Sequence, residues 1–167
     1  QEGLRPGIHG LFRAAHGRGL TTSLDPGFDP SETWGRDLGD TLNETDLFFP
    51  NEVELRGLSA TADVEAALRQ LRRDRLRVVA KLGGDGAMTL DGEQLVRAPA
   101  FRVQPVDTTG AGDSFDAGFL HAWLRGQPLA ACLRLAGACG ALSTLGLGGT
   151  AAQATLEEAE AFVRASA

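Results

Sequence analysis

Long apolar runs are missing from this chain, and none approaches the length of a membrane span. Nothing at its start reads as a secretory leader. Cysteine is scarce. Cys132 and Cys139 fall seven apart on one predicted helix face, two turns along the axis and too far apart to bridge. Two cysteines also make a poor zinc site. Both are expected to be small buried core residues, which suits a reducing cytoplasm. Histidine is sparse as well: His9, His16 and His121 are scattered, two of them on predicted helices, and read as solvated or packed side chains. No Ser-His-Asp order suggests a hydrolase. The P-loop pattern G-x-x-x-x-G-K-[ST] matches nowhere, and Gly83-Gly84-Asp85-Gly86 does not match G-x-G-x-x-G, so no dinucleotide fingerprint is present. Basic charge is in deficit. The net charge of -6 argues against a nucleic-acid partner and for a soluble acidic protein.

What remains is ordinary for an α/β protein: 167 residues, 43% hydrophobic, 23% charged, with 22 glycines. That length suffices for one domain with a real core. The chain opens at Gln1 without a methionine and falls almost at once into a helix. A parallel α/β domain rarely starts without its first strand, so this is expected to be a piece of something longer.

Helix and strand patterns then alternate. Pro6 suits a first turn, and Ile8, Leu11, Phe12 and Ala15 form one stripe, ended by Gly17 and Gly19. Leu20 to Leu24 reads as a buried strand closing on Asp25-Pro26-Gly27. A loop from Pro30 to Gly39 contains Trp34, and a short helix carries Leu38 and Leu42. Asp46 to Phe49 is the next strand, stopped by Pro50. Asn51 to Leu58 is a short helix with Asn51 as N-cap and Glu54 at N3. A helix over Thr61 to Arg73 turns Val64, Leu68 and Leu71 inward. Leu76 to Leu82 reads as a buried strand, followed by the Gly83–Gly86 turn. Ala87 to Leu90 and Gln94 to Ala98 form a hairpin around Asp91-Gly92. An Ala- and Gly-rich helix covers about Leu129 to Leu145. After the loop LGLGGTAA, a capping box from Thr155 to Glu158 opens a last helix that buries Phe162 and Val163. The alternation predicts a mainly parallel sheet covered by helices. Ligands of such sheets gather beyond the carboxyl ends of the strands.

The stretch from Val106 to Gly126 organises the rest. Val103 and Val106 read as an apolar strand, and Gly110, Ala111 and Gly112 as a turn nearly bare of side chains. Phe115, Phe119, Ala122 and Trp123 then mark one face of a helix that Gly126 and Pro128 stop. A glycine turn feeding a helix presents unpaired N–H groups and the positive end of the macrodipole, a setting for phosphate. Asp113 sits in the first turn. An acid beside an anion hole suggests phosphoryl transfer, with Asp113 taking the proton of an attacking hydroxyl. The plain alternative is an aspartate that only favours the helix end.

DTTGAGDSFDAGF resembles the C-terminal signature of the ribokinase-like, PfkB family of carbohydrate kinases, D-T-x-G-A-G-D-x-F-x-A-G. PNEVE, Pro50 to Glu54, resembles that family's N-x-x-E motif. KLGGDGAM, Lys81 to Met88, resembles its strand and turn over the nucleotide phosphates. The resemblance covers nearly the whole chain but only the C-terminal half of the family's usual length. It implies a three-layer α/β/α ribokinase-like fold, here without the N-terminal strands and lid, as a single C-terminal catalytic and nucleotide-binding portion over residues 1–167. It implies Asp113 as catalytic base, with Gly110, Ala111 and Gly112 as the anion hole. It implies Asn51, Lys81, Gly83 and Gly86 at the nucleotide, and Glu54 organising Mg²⁺ through water. Asp107 and Thr109 match a loop that holds a monovalent cation, K⁺, in some members, with Gly148 opposite. The helix from Leu129 matches the adenine pocket, and Gly137 stands where many members carry Asn. SLDPGFDPSETW lacks the D-x-N-x-R pattern of some members.

The expected activity is ATP- and Mg²⁺-dependent phosphorylation of a small sugar, with no nucleic-acid or membrane partner. The fragment alone is expected to be inactive, with a sheet edge that invites a homodimer. Two alternatives stay open: a non-catalytic remnant that binds nucleotide or a partner, or a kinase of a nucleoside or vitamin alcohol. Glu54 could equally be only a capping partner of Asn51, Asp85-Gly86 only a tight turn, and Asp107 only a residue satisfying loop amides.

Overall fold

Strand pairing differs between the two parts of the computed structural model, which describes residues 5–27 and 38–166. The chain separates into two compact units, Gln1–Ala80 and Lys81–Ala167. Among the described residues there are seven α-helices and five strands.

The first unit contains α1 (Arg5–His16), β1 (Ser23–Leu24), α2 (Leu38–Asn43), β2 (Leu47–Phe48), α3 (Glu52–Ser59), α4 (Val64–Leu71) and most of β3 (Arg77–Lys81). Its strands are parallel: β1 pairs with β2 (Ser23 opposite Leu47) and β2 with β3 (Leu47 opposite Arg77). Each is joined to the next through helical segments, as parallel pairing requires. Leu47, Phe48, Val78 and Val79 are buried, and such unbroken apolar runs mark strands covered on both faces.

The strand expected over Leu20 to Leu24 is only Ser23–Leu24. Leu20 is 58% exposed, and its amide donates back to Ala15 O at 3.0 Å, which prolongs the end of α1. Thr22 O still accepts from Leu47 N at 3.1 Å, but its other groups go elsewhere. Its amide donates to Asp46 Oδ2 (2.8 Å) and its hydroxyl to Glu44 O (2.8 Å). The helix expected from Thr61 starts later, at Val64, because Asp63 accepts from Ala66 N at 2.8 Å and caps it. His16 is packed, as expected: its ring contacts Asp46 Oδ2 at 2.9 Å and Glu44 Oε2 at 3.3 Å. Trp34 and most of the loop around it lie outside the described residues.

The second unit begins with the last residue of β3 and a 3₁₀ turn over Gly83–Asp85, closed by Leu82 N donating to Gly86 O at 2.8 Å. The hairpin of β4 (Ala87–Asp91) and β5 (Gln94–Ala98) follows with Asp91 opposite Gln94. Three helices complete it: α5 (Ala111–Trp123), α6 (Leu129–Ser143) and α7 (Leu156–Ala165). Phe119, Cys132, Leu133 and Ala136 are fully buried. The helices α5 and α6 lie close because a Cβ on Gly118 would stand 2.8 Å from Cys139 Sγ and 3.0 Å from Ala136 Cα. That contact explains the small residues of α6. Cys132 and Cys139 are not joined in a disulfide, Cys132 being buried and Cys139 partly so, and burial pushes the Cys139 thiol up. Against α6, Phe101 and Ala159 form a satellite core with Phe162 and Val163.

The strand expected at Val103 and Val106 is absent. Val106 is 60% exposed, and the segment bears Pro99 and Pro105, which cannot donate to a ladder. It hangs instead from the end of α6: Val106 N and Asp107 N both donate to Thr144 O, at 2.8 and 3.1 Å. No helix among the described residues is long and apolar enough to cross a membrane.

Candidate functional site

The start of α5 is an uncapped helix end. Gly110 holds the N-cap place in the left-handed region (φ 73°) and no side chain bonds the first-turn amides. Ala111 N donates back to Thr108 O at 3.2 Å, and the positive end of the helix dipole lies at this turn. Asp113 stands in this turn, exposed. It does not fill the N-cap place, and as a carboxylate in the first turn it still favours the helix dipole.

Ala111 and Gly112 form one wall of a cavity of about 470 Å³. Lys81, Gly83, Gly84 and Gly86 also line it, as do Phe101, Leu133, Gly137, Gly140 and Ala141. Such a volume is within the usual range for a small-molecule site. The glycines here have structural causes. Gly86 has φ 92° and ψ −134°, and a Cβ there would stand 2.1 Å from Ala98 O, so only glycine lets the turn meet the end of β5. Gly140 lets α6 approach the start of α5, where a Cβ would lie 3.2 Å from Ala111 O.

Lys81 leaves the end of β3 and its ammonium lies 3.4 Å from each oxygen of the Asp116 carboxylate. Phe101 packs against Phe162 (ring centroids 4.9 Å apart) and under the Arg134 guanidinium at 4.3 Å. Neither Asp116 nor Phe101 stands out as a site residue in the sequence. The available signal for Asp116 was a carboxylate next to Phe115 on a helix whose inner face is otherwise apolar. Phe101 falls between the Gln94 to Ala98 strand and the strand read at Val103 and Val106.

Asp107 ties two loops. Oδ1 accepts from Thr109 N at 2.9 Å and Oδ2 from Gly148 N at 2.8 Å. These amides, Thr109 first, hold its carboxyl below the usual range. Thr109 and Gly148 thus meet at Asp107, the latter across 41 residues of chain.

Asn51 and Glu54 belong to the first unit and form a complete capping box on α3. Glu54 N donates to Asn51 Oδ1 at 3.0 Å, and Asn51 N donates to Glu54 Oε2 at 2.7 Å. Glu54 is only 3% exposed. Among the described residues no group of three or more His, Cys, Asp or Glu side chains could hold a metal by itself.

The chain is 37% identical to the ATP-dependent ribose-1-phosphate kinase of Halopiger xanaduensis over 153 residues, which is 92% of this chain and 49% of that protein. Its fold is that of ribokinases. The structure of Arabidopsis thaliana ribokinase complexed with ribose and ATP superposes with a TM-score of 0.82 at 26% identity, over 94% of this chain and 52% of that one. A ribokinase II-type protein of E. coli, solved with ATP and Mg²⁺, superposes with a TM-score of 0.84 at 26% identity, over 92% and 52%. The chain thus spans about half the length of the proteins it matches. Residues 11–156 match the profile of the pfkB family carbohydrate kinases, and the chain belongs to that family.

Proposed function

We propose that the full-length protein transfers the γ-phosphoryl group of ATP to a hydroxyl of a small sugar, and that this chain supplies its nucleotide site and catalytic base. The observation that carries the reading is a cavity lined together by the start of α5, which has no side-chain cap, and by a lysine. The amides at Gly110, Ala111 and Gly112 would hold the oxygens of the moving phosphoryl group. Asp113, exposed in the same turn, would take the acceptor's proton as its oxygen bonds to the γ-phosphorus. The bond from that phosphorus to the bridging oxygen breaks and ADP leaves. A loose phosphoryl transition state asks for such positioning and charge neutralisation.

Lys81, Gly83 and Gly86 would lie along the phosphates, with Asn51 assigned to the nucleotide by the family motif. The apolar end at Phe101 and Gly137 would take the base. Mg²⁺ prefers one or two carboxylates together with waters and phosphates, and the family motif assigns its organisation to Glu54, a buried carboxylate. The tie made by Asp107 supports a loop-holding role for Asp107, Thr109 and Gly148. A monovalent cation at that place would have to share the carboxylate with both amides.

The test is ADP release by the full-length protein against a panel of sugars, for wild type and Asp113→Asn. The expected result is sugar-dependent turnover that falls by roughly 10²–10⁴-fold in the variant, with MgATP affinity kept. Wild-type turnover in Asp113→Asn would remove Asp113 from the chemistry. Absence of phosphoryl transfer to any sugar by the wild type would overturn the reading in favour of another alcohol acceptor or a binding remnant.

A further inference from the structure

Lys81 is the only lysine of the chain. Its side chain and that of Asp116 are each 12% exposed, and the ammonium contacts both carboxylate oxygens at 3.4 Å. The same nitrogen lies 3.4 Å from where a Cβ on Gly112 would stand, so the cation abuts the first turn of α5. That is an unfavourable place for it, because the helix dipole is positive at this end. Withdrawing two charges from water also costs more than a pair returns unless its geometry is good. These contacts are longer than the roughly 2.7–2.9 Å of strong charge-assisted hydrogen bonds. As a device for stability the pair is poorly made, and local conflicts of this kind gather at functional sites.

The conflict disappears once an anion binds at the turn. The first-turn amides and the ammonium then act on the same charge from two elements, α5 and the end of β3. Asp116 follows Asp113 by one helical turn, so the helix that presents the amides also carries the group that holds the lysine. A lysine loses much side-chain freedom when it is fixed, and a contact made before binding spares the ligand that cost. We infer that Asp116 is a positioning residue, which holds the Lys81 ammonium against the first turn of α5 so that a polyphosphate arriving there meets a cation already in place. The inference rests on the nucleotide-site reading above.

A double-mutant cycle in the full-length protein tests it, using Asp116→Asn, Lys81→Met and the two combined. MgATP affinity is read by calorimetry, and kcat and KM for MgATP by ADP release. If Asp116 acts through Lys81, Asp116→Asn weakens MgATP binding about tenfold alone and less than about twofold beside Lys81→Met. KM for MgATP rises with it while kcat changes less. An equal loss in both backgrounds would show that Asp116 acts on its own account, and no loss in the wild-type background would show that Lys81 needs no holding. Either overturns the inference. If Asp116→Asn does not fold, Asp116→Glu, which keeps the charge on a longer arm, replaces it in the cycle with the same outcomes. A wild type that binds MgATP but phosphorylates no acceptor rejects the kinase reading and leaves the cycle readable in affinity. A wild type that binds no MgATP overturns both.

Discussion

A Cβ on Gly110 would stand 2.7 Å from the carbonyl oxygen of Gly149. The turn that opens α5 and the loop that follows α6 therefore touch backbone to backbone, and Gly110 also needs its positive φ of 73°. We predict that Gly110→Ala destabilises the full-length protein by about 1–3 kcal/mol through strain and clash together, and weakens MgATP binding with it. Gly149→Ala is the control. A Cβ there meets Thr109 Cγ2 at 3.4 Å, an ordinary contact, and should cost much less. Urea midpoints of the two variants decide it, and equal midpoints would count against the close approach.

Glu54→Gln separates capping from metal organisation. The bond from Asn51 N to Glu54 Oε2, 2.7 Å long, can be accepted by a glutamine oxygen, since the capping box works with either residue. We predict a melting temperature close to wild type, together with a raised Mg²⁺ requirement and reduced turnover in the full-length enzyme. A Mg²⁺ titration of activity checks this. Unchanged metal dependence would leave Glu54 as a capping residue alone.

Much of this was legible in the sequence because the signals were local. The capping boxes at Asn51–Glu54 and Thr155–Glu158, the Asp91-Gly92 hairpin and the stripe of Phe115, Phe119 and Ala122 each depend on residues a few positions apart. The errors came where distant groups compete. Thr22 looks like part of a strand until Asp46 and Glu44, more than twenty residues on, take its amide and hydroxyl. Val106 looks like a strand residue until the end of α6 supplies Thr144 O as its partner. The ion pair of Lys81 with Asp116 spans 35 residues and has no local pattern at all, so the motifs left Asp116 out.

Asp46 makes part of the first unit sensitive to acid. Burial alone would raise its carboxyl, but the Thr22 amide and the contact with His16 outweigh that and hold it below the ordinary aspartate range. A carboxylate depressed on folding contributes stability that is present above its unfolded pKa of about 3.9 and lost as pH falls through the folded value. We predict that stability of the full-length protein falls more steeply below about pH 4 than in Asp46→Asn, which should be less stable than wild type at neutral pH and flatter in acid. Denaturant midpoints at neutral and acid pH check it. Parallel acid limbs in the two proteins would show that Asp46 is not the group responsible.

Gly137→Ala should move stability and nucleotide affinity in opposite directions. Gly137 lies inside α6, where glycine is less favourable than alanine by roughly 0.5–1 kcal/mol. A Cβ there would meet the Phe101 ring at 3.5–3.6 Å, an ordinary contact. Nothing strains the backbone at this position, so the substitution should raise the urea midpoint. Yet Gly137 lines the cavity beside Phe101, and a methyl group added there occupies space that the base would use. A well-packed pocket responds to a single added carbon by about 1–3 kcal/mol, so MgATP affinity should fall about tenfold while inorganic triphosphate, which needs no base site, binds as before. Calorimetry with both ligands on the full-length protein gives the answer. A Gly137→Ala variant that is more stable and still binds MgATP like wild type would move the base away from Gly137. One that loses both ligands equally would show that the change reaches the phosphate end of the cavity through α6.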